Sequence, residues 1–255
     1  MLSAAVRYTT ALLSAAVLTL LMQSTAIAAQ ILLFDQAHDQ RFVAEKEGPL
    51  QLSSFAAILQ QEGFAVKSGT ERFTEEYLKG VSVVVVSGAF APLDKAETDA
   101  LCGFVARGGK VAVMLHVPSP VADLLHRLDV DFTNYVLFEQ KNLIDNDPRN
   151  FQIRQFSSHP LTASLTHFSL YGGWALMNTG ESAQIVAETS QEGWVDLDGD
   201  KKLTKGDAVQ SFGVVVAGTS GTGKFVIFGD DAIFQNKFLD EQNRQLALNL
   251  AKWLK

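Results

Sequence analysis

The sequence predicts an α/β protein with a mostly parallel sheet, on three observations. Short, continuously apolar segments alternate with helical stripes over the first half of the chain. Two apolar segments, Ile31–Phe34 in that half and Lys224–Phe228 near the end, stop abruptly and lead into carboxylates. Near the end, two apolar runs are joined by a glycine-rich turn, which reads as a β-hairpin.

Ile31–Phe34 is too continuously apolar for a half-exposed strand and fits one buried on both faces. A loop through Gly48-Pro49 leads to a helix with Leu52, Phe55, Ala56 and Leu59 on one face, ended by Gly63 in the left-handed conformation that glycine tolerates best. Phe64–Lys67 reads as a second strand, followed by a short helical link. Val81–Val86 holds five valines in six residues, and branching at Cβ favours β-structure there.

Asp94-Lys-Ala-Glu97 has the spacing of a capping box. It opens a helix whose stripe is Leu93, Ala96, Ala100, Leu101, Phe104 and Val105, closed by Gly108-Gly109. Lys110–Leu115 is the fourth strand and Val121–Leu128 a short helix. Parallel strands with crossover helices gather their carboxyl ends on one edge, where such sheets bind ligands.

The pattern weakens from Asp129 to Ser182, which is expected to be an elaboration packed on the sheet. Ala183–Glu188 reads as a strand, Phe212–Ala217 and Lys224–Phe228 as the hairpin. A final helix from about Glu241 buries Leu246, Leu250, Trp253 and Leu254.

The first 28 residues read as a secretory signal: Arg7 is the only charge, Ala11 to Leu21 form an apolar core, and Ala26-Ile-Ala28 offers small residues for cleavage after Ala28. Tyr8 to Ala29 is long enough to span a bilayer as an uncleaved anchor, but the short apolar core favours cleavage. The expected mature chain is a single domain, residues 29–255, in the periplasm or outside the cell, with no membrane span. It loses one Arg, leaving 20 basic and 28 acidic residues and a net charge of −8. That balance argues against nucleic acid or an anionic membrane surface as partner. One cysteine permits no internal disulfide, so stability rests on the core that a 47% hydrophobic composition allows.

The most specific chemical pattern is the acidic segment from Asp196 to Asp207. With Asp196 as position 1 of a twelve-residue calcium loop, Asp198, Asp200, the Lys202 carbonyl, Thr204 and Asp207 fall at positions 3, 5, 7, 9 and 12, and Leu203 at position 8 is the apolar anchor. Position 6, where glycine eases the turn, is Lys201, and position 12 is Asp rather than Glu. Both departures weaken binding. The spacing resembles the calcium loops of dockerins, and a structural Ca²⁺ is expected.

Gly218-Thr-Ser-Gly-Thr-Gly-Lys224 superficially matches a phosphate-binding loop, but Phe225 replaces the required Ser/Thr and a strand follows, so it reads as a turn. Cys102 lies inside a helix and reads as packing. The remaining candidates for ligand binding are Asp35, His38, His116, Asp230 and Asp231, with Asn236 in support. Carboxylates and imidazoles at one edge suit a divalent metal or acid/base chemistry; the alternative is that they cap loops and bond backbone N–H groups.

Four stretches carry a family resemblance: Phe34-Asp-Gln-Ala-His38, Val-Ser-Gly-Ala-Phe90 with Pro-Leu-Asp-Lys-Ala-Glu97, Gly108-Gly-Lys-Val-Ala-Val113, and Gly-Lys-Phe-Val-Ile-Phe-Gly-Asp-Asp231. Together they resemble the class I glutamine amidotransferase-like superfamily, and within it the non-catalytic branch that includes exported proteins and the domains of gliding-motility transporter auxiliaries and intraflagellar-transport proteins. The resemblance implies a flavodoxin-like three-layer sandwich. It also implies where a catalytic relative carries its nucleophilic Cys, after Lys110–Leu115, and a His-x-Glu pair near the last strand. Here those places hold Leu115-His116 and Asp230-Asp231, so no catalytic residue is expected and glutamine hydrolysis by that route is excluded. The resulting expectation is an exported, non-enzymatic domain that binds a small ligand or an envelope protein. A metal-assisted hydrolase using the strand-end carboxylates and a scaffold beside a transporter are the alternatives.

Overall fold

A computed structural model describes residues 29–255; the proposed signal segment lies outside the described residues. The order begins β1 (Ile31–Asp35), α1 (Ser53–Gln61), β2 (Ala65–Gly69), β3 (Val81–Ser87), α2 (Lys95–Ala106), β4 (Lys110–Met114) and α3 (Ala122–Arg127). Next come β5 (Val130–Phe138), β6 (Leu143–Ile144), β7 (Asp147–Ile153), β8 (Gln155–Phe156), β9 (Phe168–Tyr171) and β10 (Trp174–Asn178). The chain ends with β11 (Ala183–Glu188), β12 (Trp194–Val195), β13 (Ala208–Val209), β14 (Gly213–Ser220), β15 (Gly223–Phe228) and α4 (Glu241–Trp253). The link expected to be helical between β2 and β3 is a series of turns over residues 75–80.

Twelve strands form one sheet, along the order β13-β12-β5-β10-β14-β15-β4-β3-β1-β2 with β11 paired to β14 and β8 to β11; β6, β7 and β9 form a second, smaller sheet. The expectation of a mostly parallel sheet is corrected here. Parallel pairing is confined to β2, β1, β3, β4 and β15, and the remaining pairings of the large sheet are antiparallel. The fold is therefore mixed α/β. The cause lies in the weakly patterned middle of the chain: β5 and β10 extend the large sheet as antiparallel strands, which tolerate a half-solvated face.

The parallel strands are sandwiched on both faces. Val83 and Val85 of β3 pack with Phe55 and Leu59 of α1 and Leu246 and Leu250 of α4. Val84 and Val86 point the other way, into the cluster of Leu101 and Val105 from α2 and Leu124 from α3. Side chains alternate along a strand, so the part of a central strand covered by helices on both sides is apolar at successive positions, as Val83–Val86 is. Each fully buried valine contributes about 1.5–3 kcal/mol of transfer free energy.

Two caps fix the helices, the first as read from sequence and the second shown by the structure. Asp94 accepts from Glu97 N–H at 2.9 Å while the Glu97 carboxylate accepts from Asp94 N–H at 3.0 Å, and Asp240 caps α4 by accepting from the N–H groups of Gln242 and Asn243. The β14–β15 hairpin turns on Gly221-Thr222, with Gly221 at φ +59, a left-handed conformation suited to glycine in a two-residue turn. The phosphate-loop resemblance thus dissolves into strand and turn.

Candidate binding site

Because β1, β3, β4 and β15 run parallel, their ends deliver Asp35, Ser87-Gly88, Leu115-His116 and Gly229-Asp230-Asp231 to one edge. There the polar side chains divide into two groups, an inward-turned Asp230 and a bystander.

The first group is buried. His38 Nδ1 lies 2.7 Å from Asp35 Oδ2 and its Nε2 lies 3.1 Å from Glu97 Oε1, all three residues being buried. With a carboxylate at each ring nitrogen both must donate, which is the imidazolium's arrangement. Burial pulls the His38 pKa down, but Asp35 and Glu97 outweigh it and the net shift is upward. The remaining lone pairs are used as well: Asp35 accepts from Ala37 N–H, and Glu97 from Phe73 N–H and Asp94 N–H. The His38 carbonyl takes the N–H groups of Phe90 and Ala91. This triad ties the loops after β1 and β3 to the start of α2. Glu97 is the member that sequence reasoning missed, having assigned it only to the capping box.

The second group reaches the surface. His116 Nδ1 sits 3.2 Å from Asp231 Oδ1, with the imidazole about two-fifths exposed and the aspartate buried. The Asp231 hydrogen bond raises the His116 pKa despite partial burial. Asp231 Oδ2 is buried without a hydrogen-bond partner. It packs on Gly88, at φ +61, where an added Cβ would lie only 2.6 Å from that oxygen. The rings of Phe90 and Phe42 stand 4.7 and 5.6 Å from His116, and the Arg41 guanidinium lies 4.2 Å over Phe90. The His116 carbonyl accepts from Trp174 Nε1 at 2.9 Å.

Asp230 is turned inward. Its oxygens accept from Tyr171 N–H at 2.7 Å and Ala232 N–H at 2.8 Å. Burial, then the neighbouring Asp231, pushes its pKa up to about 8. Asn236 is the bystander: its side chain bonds Ser54 N–H, the Gly48 carbonyl and the Ser53 hydroxyl, fixing the start of α1 rather than facing the other five. Asp35 and Asp230 are thus both engaged by backbone N–H groups.

At the acidic loop, Asp196, Asp198 and Asp207 bring carboxylate oxygens within 4.8 Å of one another, a group of the size that holds a cation. Asp200 stands outside it, accepting from Lys202 N–H, and Thr204 Oγ1 bonds Asp207. Lys201 adopts φ +62, so the loop makes the left-handed turn of position 6 without the glycine that eases it. Leu203, expected as an apolar anchor, is 42% exposed. Cys102 is partly buried against the α2 side of the core, and burial pushes its thiol up.

The family described as Domain of unknown function (DUF4350) matches residues 44–251, most of the chain and nearly all of the fold just described. The chain belongs to this family. No curated protein matches it. Among solved structures it is similar to the mmIFT52 N-terminal domain, at 17% identity and a TM-score of 0.71 over 88% of this chain and 96% of that one. A cytoplasmic protein from Salmonella typhimurium LT2 aligns at 16% identity and a TM-score of 0.58, over 89% of this chain and 99% of the other. A ThuA-like protein from Bacteroides uniformis aligns at 16% identity and a TM-score of 0.51, over 89% and 91%. At such identities the likeness is one of fold. The DUF4350 match begins at Ala44, so Asp35 and His38 precede it, whereas Glu97, His116, Asp230 and Asp231 fall within it.

Proposed function

We propose that this DUF4350 chain is a non-enzymatic binding domain of amidotransferase-like fold that receives a small ligand or an envelope protein at the carboxyl edge around His116. One observation carries the reading. Where a catalytic relative would carry its nucleophile, this chain presents a half-exposed imidazole backed by buried Asp231, while Asp35, His38 and Asp230 are consumed by the fold. The order β2-β1-β3-β4-β15 in the parallel part supports a flavodoxin-like core, and the ThuA-like neighbour supports the amidotransferase-like assignment.

Incubation with glutamine, p-nitrophenyl esters or glycosides is expected to give no turnover above buffer. A photo-reactive residue at Arg41 is expected to form a discrete adduct in envelope extract that His116→Ala weakens. Turnover abolished by His116→Gln overturns the non-enzymatic reading; an adduct indifferent to His116→Ala overturns the location.

Two further parts of the reading are export, resting on the pattern of residues 1–28, and a structural Ca²⁺ in the acidic loop, resting on the converging Asp196, Asp198 and Asp207. Ligands would come from those three with the Lys202 carbonyl, Thr204 and Asp200 completing the oxygen set. N-terminal sequencing of protein recovered from the periplasm tests the first: a mature start at Ala29 is expected, and a retained Met1 overturns it.

A further inference from the structure

A cleft of about 730 Å³ lies beside the strand-end edge, between β5, the β6–β7 hairpin and the acidic loop. Its size falls among the about 300–1,000 Å³ usual for small-ligand sites. The floor is aromatic and aliphatic. Val136 and Phe138 lie on one face of β5, and Trp174 is paired directly opposite Val136 in the sheet. Phe138 is itself stacked on Trp194 at 4.3 Å, and the Trp174 indole is pinned by its hydrogen bond to the His116 carbonyl. The floor is therefore preorganised.

The polar groups around this floor are of two kinds. Of those that carry charge, Arg149 grips Asp147 through two hydrogen bonds, at 3.0 and 2.7 Å, Asp196 accepts from the N–H groups of Gly199 and Lys201, and the Lys201 side chain stands at the rim as a solvated cation. The amides are free: among the described residues the side chains of Asn134 and Asn146 have no hydrogen-bond partner. Asn146 is held over the cleft by a two-residue turn in which Asp145 and Asn146 both take positive φ, +53 and +58, a conformation matched to the twist of a hairpin. An amide offers a donor and an acceptor side by side.

The ligand such a cleft suits has a flat apolar face for Trp174 and adjacent hydroxyls for the amides, and carries no negative charge. The charged side chains of the lining balance, Asp147 and Asp196 against Arg149 and Lys201, so the wall offers a phosphate or carboxylate no net attraction. We propose that the cleft binds a neutral saccharide, one ring seated on Trp174 and its hydroxyls bonded by Asn134 and Asn146. This site adjoins the His116 edge through Trp174 and does not depend on the reading given to His116.

The probes are maltotetraose, cellotetraose, chitotetraose and, as an anionic control, ATP, titrated into the mature chain and followed by tryptophan fluorescence and saturation-transfer NMR. Saturable binding of at least one neutral tetrasaccharide is expected. Trp174→Ala should weaken it by about tenfold or more, as loss of an aromatic face implies, and Trp253→Phe should leave it unchanged. Asn134 is exposed, so Asn134→Ala tests the site without disturbing the fold and is expected to weaken binding as well. No saturable binding of any neutral probe overturns the proposal, as does binding indifferent to both Trp174→Ala and Asn134→Ala, or binding of ATP alone.

Discussion

His38 Nε2 meets Glu97 Oε1 at 3.1 Å across a sequence separation of 59 residues. Asp35 holds the other ring nitrogen at 2.7 Å, and the whole arrangement is closed to solvent. Removing one partner of such a group leaves a buried charge uncompensated, which costs about 3–5 kcal/mol. Glu97→Ala also deletes half of a capping box. A urea titration followed by far-UV circular dichroism is therefore expected to show Glu97→Ala destabilised by about 3 kcal/mol or more. A change below about 1 kcal/mol would show that the triad is not the fastening described.

The pH dependence follows from two upward shifts. A histidine whose folded pKa is raised contributes stability that is fully present below its unfolded pKa and is lost as the pH rises through the folded value. Asp230, raised to about 8, is lost in the same direction: the unfolded carboxyl ionises freely from about pH 4 while the folded one resists until about pH 8. The urea midpoint is expected to fall between about pH 5 and about pH 9. Asp230→Asn should flatten that slope, while leaving either the Tyr171 or the Ala232 N–H without an acceptor at a cost of about 1–3 kcal/mol. A midpoint rising with pH contradicts both assignments.

Calcium is expected to raise the melting temperature at millimolar concentration and EDTA to lower it, through Asp196, Asp198 and Asp207. Asp198→Ala should abolish the difference. Equal melting curves with and without Ca²⁺ remove the cation from the reading.

Lys201 occupies a left-handed backbone at φ +62, which disfavours a residue with a Cβ by about 1–2 kcal/mol. Glycine relieves that strain but enlarges the freedom of the unfolded chain. Lys201→Gly is expected to be stabilising by up to about 1 kcal/mol and to tighten Ca²⁺ binding measured by calorimetry. Loss of affinity in that variant counts against the loop geometry.

Gly229 closes the contact between the end of β15 and β10: its carbonyl accepts from Trp174 N–H at 2.8 Å, and a Cβ there would strike the Trp174 carbonyl. Gly229→Ala must displace backbone rather than a side chain. An expected loss of about 1–3 kcal/mol or more is measurable by thermal melting, and a neutral result shows that the two strands are not so closely apposed.

The strands legible in the sequence were those whose burial leaves a compositional mark. Val83–Val86 is apolar at every position because helices cover both faces, and the hairpin of β14 and β15 was marked by glycine where the backbone turns. β5 and β10 were not legible because Asp131, Thr133, Asn134 and Asn178 interrupt them, as befits strands with a wetter face. The same limit applied to the site. Asp35, His116, Asp230 and Asp231 could be assigned to one edge from strand ends alone, but not which of them reaches solvent.

What the sequence by itself determined is local: the strands and helices of the first half, the closing hairpin and helix, the Asp94–Glu97 cap, and the acidic loop's spacing. Each depends on neighbours a few residues apart. Tertiary structure alone decided that the larger share of the sheet is antiparallel, that Glu97 completes a triad with His38 while still capping α2, that Asp230 turns inward as His116 turns outward, and that β5 and the acidic loop enclose a cleft. Those facts depend on side chains meeting across tens or hundreds of residues, where pairing is set by the packing of the whole core rather than by any periodicity along the chain.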